Sequence, residues 1–198
     1  PQNFKLIMAK ITEEYIQNIS KRLGQGELIL YPTDTIWGIG CDASNGAAIE
    51  RVYTLKKRTV EKSFVLLVSD LAMLQHYVER IPPKAGDLIE FYERPLTIIY
   101  KELRNLPESI LAEDGTVAIR VTKDPFCKHF IKAFGGAIVS TSANLFEKPF
   151  PTCFAEIDDS IKEGVDFIVE HRLEEKNKLA PSTIVSFDDS NELVFLRK

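Results

Sequence analysis

The feature that most limits the fold of this chain is the alternation of short apolar segments with segments of helical periodicity. The segment 96–99, Leu-Thr-Ile-Ile, is apolar and partly β-branched, as in strands that are covered on both faces. Segments such as 13–24, which Thr12 can cap, carry one apolar face and are typical of surface helices. This alternation predicts an α/β or α+β fold, in which helices flank a twisted mixed β-sheet. A chain of 198 residues is most simply one domain, spanning residues 1–198.

Capping residues and turn formers give approximate limits for the elements. Thr12 caps the first helix, which Gly24 ends, and Asp70 caps a later short helix. The pattern predicts helices at 13–24, 45–57, 71–78, 83–92, 125–134 and 154–161. It predicts strands at 27–31, 64–68, 96–100, 117–121, 137–140, 167–169, 183–187 and 193–196. The charged stretch 173–179 is expected to be a loop.

Composition argues against several classes of protein. The cysteines are scattered without a C-x-x-C pair and the histidines have no partner at i, i+4, so reduced thiols and no structural metal site are predicted. No apolar run approaches the ~20 residues of a membrane helix. Residues 1–10 lack the pattern of a signal peptide, so a cytoplasmic location is expected. The net charge of −4 argues against a sequence-independent grip on long nucleic acid, although a local basic cleft is compatible with it.

Three polar clusters stand next to predicted elements. Residues 31–35, Tyr-Pro-Thr-Asp-Thr, and residues 140–144, Ser-Thr-Ser-Ala-Asn, follow apolar strands, where ligands of open α/β sheets tend to lie. The cationic segment 56–62, Lys-Lys-Arg followed by Lys62, ends a helix and can bind phosphate or carboxylate. Each cluster also has a purely structural interpretation: a turn for 31–35, a helix cap for 140–144, and solvated charges that complement a helix dipole for the cations.

Two further segments add polar groups to apolar surroundings. Arg120 ends the segment 116–120, Thr-Val-Ala-Ile-Arg, and needs an anionic partner, which is either a ligand or a structural carboxylate. Pro181-Ser-Thr places hydroxyls at the start of the strand 183–187, which is a weak signal by itself. The sequence contains no phosphate loop, no dinucleotide-binding glycine motif and no nucleophile elbow. A nucleotide would therefore be held by side chains and scattered backbone amides.

In combination these motifs resemble the YrdC-like family, the threonylcarbamoyl-AMP synthases. The resemblance rests on the ordered segments 31–35, 56–58, 116–120, 140–144 and 181–184 and spans nearly the whole chain. Each motif is weak alone, but K-x-R followed far downstream by S-x-N makes the set specific. The resemblance implies a YrdC-like fold with a concave basic face. It also implies a nucleotidyltransferase that converts L-threonine, bicarbonate and ATP to threonylcarbamoyl-AMP and pyrophosphate, for the threonylcarbamoyl modification of adenosine 37 in tRNA.

The resemblance also implies roles for individual residues. Magnesium is expected on the ATP phosphates, and a separate transferase is expected to use the product on tRNA. Lys56 and Arg58 are the catalytic candidates and are expected to be exposed at the end of their helix. The residues implied for ATP are Lys56, Arg58, Lys62, Thr116, Ser142, Asn144 and Arg197. Those implied for threonine are Thr35, Arg120, Ser140 and Ser182, with Arg120 as the partner of the carboxylate.

Some positions depart from the family pattern, and two other functions stay open. Thr59 replaces a common proline, Leu67 stands where some members carry a threonine-contacting histidine, and Phe150 stands where a hydroxyl residue is common. The segments 92–97 and 146–150 also differ from the family pattern, and these differences can change the shape of the ATP pocket and the substrate preference. The main alternative is a binding module that contacts tRNA or double-stranded RNA without synthesis. The second is a carbamoyl-adenylate enzyme of hydrogenase maturation, although such enzymes embed this domain in a longer chain with zinc-finger segments.

Overall fold

A mixed sheet of nine strands organises the part of the chain that the computed structural model describes, residues 11–57, 64–176 and 181–197. The strands are β1 (Ile29–Tyr31), β2 (Gly38–Asp42), β3 (Val65–Val68), β4 (Leu96–Tyr100), β5 (Val117–Val121), β6 (Ile138–Ser142), β7 (Phe167–Ile168), β8 (Thr183–Phe187) and β9 (Leu193–Arg197). Their order is β7-β1-β2-β6-β3-β5-β4-β8-β9. The pairs β1–β7, β3–β5 and β4–β8 are parallel, and the other neighbours are antiparallel. The prediction of a mixed sheet is confirmed.

Helices flank this sheet, as predicted. They are α1 (Glu13–Gly24), α2 (Gly46–Lys56), α3 (Leu71–Tyr77), α4 (Pro83–Phe91), α5 (Pro125–Phe134) and α6 (Asp159–Gly164), with 3-10 turns at Glu108–Ile110 and Phe154–Glu156. The helices predicted at 13–24 and 125–134 have the observed limits. The side chain of Thr12 accepts the Tyr15 N–H, and Asp124 caps α5 in the same way. Such caps satisfy backbone donors that the first turn of a helix leaves open.

Two apolar clusters cover opposite faces of the sheet. The larger cluster contains Leu66, Ile119 and Val139 of the central strands and includes residues of α2, α3, α4 and α6. The smaller cluster contains Leu67 and Ile138 together with residues of α1 and α5. Successive residues of a strand point to opposite faces, so neighbours such as Leu66 and Leu67 belong to different clusters. Because α1 and α5 cover only part of the second face, the rest of that face is open.

The single helix predicted over 154–161 is wrong. The chain instead forms the 3-10 turn Phe154–Glu156, and α6 begins only after Asp158. Ile157 between them has extended backbone angles and is buried in the larger cluster. Asp158 then caps α6 by accepting the Ser160 N–H. The apolar spacing that predicts one helix is therefore shared by two short elements with a turn between them.

The sequence pattern does not predict β2, because Gly38-Ile-Gly-Cys-Asp42 contains two glycines, which are depleted in strands. In the sheet these glycines lie beside the ring of Tyr31 on the neighbouring strand. A Cβ atom at Gly40 would lie 2.7 Å from Tyr31 Cε1 and 3.0 Å from the carbonyl oxygen of Val139. The glycines thus leave room for the Tyr31 ring to pass over β2 and reach Ser140 on the next strand, β6.

Candidate active site

The candidate site is a cavity of about 670 Å³ on the open part of the second face. On β5, alternate residues line it, as the period of a strand predicts. Ala118 and Arg120 of β5 face the cavity, whereas Ile119 between them belongs to the larger cluster. On β6, Ser140 lines the cavity on the same face as Ile138 of the smaller cluster. In β5 the site and the apolar core therefore use alternate residues, whereas at the end of β6 the consecutive residues 140–142 all line the cavity.

Arg120 places a buried positive charge in the cavity. Its side chain is nearly inaccessible, and its Nη1 donates to Thr35 Oγ1 at 3.2 Å. Its Nη2 lies 3.2 Å from Asp34 Oδ1, an ion-pair distance without hydrogen-bond geometry. Its Nε–H has no hydrogen-bond partner among the described residues. A buried donor without a partner carries a free-energy penalty. This guanidinium is therefore suited to bind an anionic ligand, to which it would donate.

Arg197, on the edge strand β9, brings a second guanidinium to the cavity. Its Nε and Nη2 donate to the carbonyl oxygen of Ser182 at 3.0 and 2.8 Å. The Ser182 hydroxyl is in turn 2.7 Å from the hydroxyl of Thr97. Burial and the nearby charge of Arg120 lower the pKa of Arg197, because both disfavour its charged form. Arg120 and Arg197 are close enough to influence each other's charge, and the carboxylates of Asp34 and Asp114 lie beside or on the same lining. The two guanidinium groups form a local concentration of positive charge that favours an anion.

Hydroxyl groups line the walls of the cavity, and neighbouring side chains orient them. The Tyr31 hydroxyl donates to Ser140 Oγ at 2.7 Å, and burial raises the pKa of Tyr31, so this donor stays protonated. The Thr116 hydroxyl donates to Asp114 Oδ1 at 2.7 Å, a bond that lowers the pKa of Asp114. The Ser142 hydroxyl donates to Asn144 Oδ1. These bonds fix the direction in which each hydroxyl oxygen faces a ligand.

Lys56 is buried, which corrects the expectation that it is exposed at the end of α2. Its side chain is only 3% exposed. Its ammonium group donates to the carbonyl oxygens of Ser142 and Asn144, the latter at 2.6 Å. Lys56 is buried because the segment at the end of β6 crosses the end of α2. The sequence of the helix alone does not indicate this contact. Arg58 and Lys62 lie outside the described residues.

The structure brings most of the implied binding residues together. Seven of the eleven line the cavity: Thr35, Thr116, Arg120, Ser140, Ser142, Ser182 and Arg197. Lys56 and Asn144 are joined to this group through hydrogen bonds to Ser142. Sequence analysis included Asp34 only as part of the polar cluster 31–35 and assigned no role to Thr97, although a polar residue within the apolar run 96–99 is a signal for the latter. Phe150 also lines the cavity and is half exposed.

The described lining of the cavity contains no thiol and no imidazole. Cys41 and Cys127 are buried elsewhere, and burial raises the pKa of Cys41 to about 12 and also raises the pKa of Cys127. Leu67, at the position where some family members carry a histidine, is fully buried in the smaller cluster. The polar side chains of the lining are guanidinium and hydroxyl groups and the Asp114 carboxylate. The guanidinium and hydroxyl groups are suited to positioning substrates and to stabilising charge.

Neither a metal-ligand cluster nor a membrane-spanning helix is found in the described parts of the chain. Within residues 11–57, 64–176 and 181–197, no three His, Cys, Asp or Glu side chains come together as ligands for a metal ion. The helices of these ranges are too short or too polar to cross a bilayer. Magnesium on ATP and a cytoplasmic location stay predictions.

Comparisons of the sequence and of the structure with known proteins lead to the same family. Residues 21–198 match the model of the Sua5/YciO/YrdC family, which is described as "Telomere recombination". The threonylcarbamoyl-AMP synthase of Pseudoalteromonas translucida is 35% identical over 165 residues, which are 82% of this chain and 87% of that protein. Among solved structures, E. coli YciO has a TM-score of 0.80 at 25% identity and covers 94% of this chain and 90% of its own. P. abyssi Sua5 in complex with L-threonine has a TM-score of 0.86 at 24% identity.

The extent of these matches decides the family. The structural match to P. abyssi Sua5 covers 95% of this chain but only 55% of the P. abyssi protein, and it supports the fold. The family model, by contrast, covers all but the first 20 residues of this chain. The similarity to the P. translucida enzyme extends over most of both proteins. The resemblance inferred from the motifs is confirmed, and the chain belongs to the Sua5/YciO/YrdC family.

Proposed function

We propose that the chain is a threonylcarbamoyl-AMP synthase, a nucleotidyltransferase that forms threonylcarbamoyl-AMP and pyrophosphate from L-threonine, bicarbonate and ATP. Membership of the family and the activity for which its relative is named support this function. The product would be used by a separate transferase for the threonylcarbamoyl modification of adenosine 37 in tRNA. We place this reaction in the cytoplasm.

The observation that carries the proposal is the unpartnered Nε–H of the buried Arg120 in a cavity of suitable size. The carboxylate of threonine would accept N–H groups of this guanidinium, a charge-assisted pairing that arginine favours. The hydroxyls of Thr35, Ser140 and Ser182 are proposed to contact the amine and hydroxyl of threonine. A site built to hydrogen-bond a substrate hydroxyl rejects an analogue that lacks it, so valine is expected to be a poor substrate.

The nucleotide is proposed to bind at the end of β6 and the start of β5. Ser142 and Thr116 line the cavity there, and Asn144 is held against Ser142. Arg58 and Lys62, which follow α2 in the sequence, are proposed to bind the phosphates. Magnesium would enter on the phosphate oxygens as part of the substrate, since this ion keeps most of its ligands from water and phosphate.

The proposed reaction has two steps. The threonine nitrogen attacks the carbon of bicarbonate, water leaves, and N-carboxy-threonine forms. An oxygen of the new carboxylate then attacks the α-phosphorus of ATP, the bond to the α–β bridging oxygen breaks, and pyrophosphate leaves with that electron pair. Arg197, implied for ATP and close to Arg120, would supply positive charge between the two substrates. Well-oriented reactants can recover about 7–11 kcal/mol of a barrier, so positioning can account for much of the rate.

Pyrophosphate release by the purified protein tests this function. We expect release in the presence of ATP, magnesium, bicarbonate and L-threonine, and loss of release when either threonine or bicarbonate is omitted. Valine and serine in place of threonine provide matched controls for recognition of the hydroxyl and of the methyl group. A folded protein that releases no pyrophosphate would contradict the proposal and favour the binding module, for which RNA binding would be measured next.

Replacement of Ser142 by alanine should weaken ATP binding. A hydrogen bond of this kind contributes about 1 kcal/mol, so the dissociation constant should rise about fivefold. Isothermal titration calorimetry measures this change directly, and Ser190→Ala, at an exposed turn after β8, serves as the control. Equal ATP affinity of Ser142→Ala and the native protein would remove Ser142 from the nucleotide site.

A further inference from the structure

The ammonium group of Lys56 contacts protein oxygens, although the motif to which it belongs implies a phosphate ligand. Its hydrogen-bond partners include the carbonyl oxygens of Ser142 and Asn144, and Asn144 Oδ1 lies at 3.4 Å. We propose that Lys56 is a positioning residue, which fixes the segment 142–146 at the nucleotide site and does not itself hold the phosphates of ATP. This proposal rests on the proposed function, because it concerns the nucleotide part of that site.

Lys56 holds the segment at both of its ends. Its ammonium group binds the carbonyl oxygens at 142 and 144, while its own carbonyl oxygen accepts the backbone N–H of Phe146 at 3.0 Å. Side chain and backbone of one residue thus bracket the whole segment. The last turn of α2 supplies a rigid support, since its Val52 and Tyr53 are buried in the larger cluster. The end of β6 is therefore fixed relative to the core.

The capacity of an ammonium group supports the same role. It carries three N–H donors, and the described structure places three oxygen acceptors within hydrogen-bond distance of Lys56 Nζ. A phosphate oxygen would have to displace one of these oxygens. Lys56 is also not among the described residues that line the cavity, whereas Ser142 beside it is. The cation therefore acts on the ligand through Ser142.

The fixed segment orients the side chains that are proposed to bind the nucleotide. Ser142 Oγ donates to Asn144 Oδ1, and Asn144 Nδ2 donates to the carbonyl oxygen of Lys148 at 2.5 Å. These bonds form only while the backbone from 142 to 148 keeps its course. Without the Lys56 ammonium, two carbonyl oxygens lose a charged donor in a largely buried place, and the segment is expected to shift. Every ligand that contacts Ser142 should then bind more weakly, whatever its number of phosphates.

Comparison of ATP with AMP separates the two roles of this lysine. Lys56→Met removes the ammonium group and keeps most of the chain length. We expect the affinities for ATP and for AMP to fall by the same factor, about tenfold or more, as calorimetry on the folded variant would measure. A residue that serves stability alone would lower the melting temperature and leave the affinity of the folded protein unchanged. Lys132→Met, an exposed lysine in the last turn of α5, is the matched control and should change neither affinity.

Two outcomes would overturn the proposal. If Lys56 gripped the β- and γ-phosphates, Lys56→Met would weaken ATP binding and leave AMP binding unchanged. If Lys56 had no part in the nucleotide site, neither affinity would change. Failure of the native protein to bind ATP and AMP would instead contradict the proposed function, and the following measurement would still decide the position of Lys56.

Acetylation of the native, nucleotide-free protein provides a test that needs no variant. Lys57, the next residue, is exposed and serves as the internal reference. With limiting acetic anhydride and tandem mass spectrometry, Lys56 should react at least about tenfold more slowly than Lys57, because its ammonium group is buried and hydrogen-bonded. Equal reaction of the two lysines without nucleotide, followed by protection of Lys56 when ATP is added, would show that the phosphates are its partner.

Discussion

Replacement of Arg120 by methionine should lower kcat/KM for threonine by a factor of about 30 to several thousand. Loss of the guanidinium from the proposed buried pair with the threonine carboxylate should cost about 2–5 kcal/mol of transition-state binding, which corresponds to that range. The variant leaves the Asp34 carboxylate without its cation and removes the guanidinium that is proposed to donate to the threonine carboxylate. Pyrophosphate release at varied threonine and fixed ATP measures the effect. The Michaelis constant for threonine should rise most, while ATP binding should change little.

An exposed arginine gives the matched control. The side chain of Arg80 is 83% exposed and its nearest carboxylate, that of Glu102, is 3.9 Å away, so Arg80→Met should keep native kinetics. Because loss of a buried charge partner also destabilises a protein, the melting temperature of Arg120→Met must lie well above the assay temperature. A folded Arg120→Met protein with a native Michaelis constant for threonine would place the substrate carboxylate elsewhere.

Replacement of Gly40 by alanine should destabilise the fold by about 3 kcal/mol, the upper part of the range for overpacked sites. The added Cβ would meet the Tyr31 ring at 2.7 Å and the Val139 carbonyl oxygen at 3.0 Å, and neither belongs to a flexible chain end. For a protein of this size the melting temperature should fall by about 6–12 °C. Thermal and denaturant unfolding measure the change. Displacement of Tyr31 should also disturb its hydrogen bond to Ser140 and raise the Michaelis constant for threonine.

Gly24→Ala separates this effect from the general consequence of losing a glycine. An added Cβ at Gly24, the last residue of α1, meets no other atom within 4 Å. The variant should be neutral or slightly more stable, since alanine reduces the entropy of the unfolded chain. If Gly40→Ala melted within 2 °C of the native protein, the ring of Tyr31 would have room to move, and the described packing of β1 on β2 would be in error.

Local signals in the sequence are enough to predict most helices and central strands. Thr12 and Asp124 cap α1 and α5 through their own side chains, and both helices have the predicted limits. The apolar segment 96–100 is likewise found as β4. Each of these signals acts within a few residues of the chain, so no knowledge of the tertiary fold is needed to interpret it.

Features that depend on distant segments could not be predicted in this way. The glycines of β2 suit a strand only because Tyr31 of the adjacent strand fills the space above them. Lys56 is buried only because Ser142, 86 residues further along the chain, crosses the end of its helix. Most of the binding residues that the motif resemblance implied do line the cavity. It could not show that a lysine in the motif faces protein oxygens, because a motif records the presence of a residue and not the direction of its side chain.

The alternate use of β5 by the site and the core restricts how this protein can change during evolution. In β5 a one-residue insertion would replace Arg120 in the cavity by a neighbouring apolar residue and turn the guanidinium into the core, so function and stability would be lost in one event. Length variation is therefore confined to the loops around the cavity. The loop that carries Phe150 lies outside the strands, and substrate preference can diverge there by single substitutions that leave the strand register untouched.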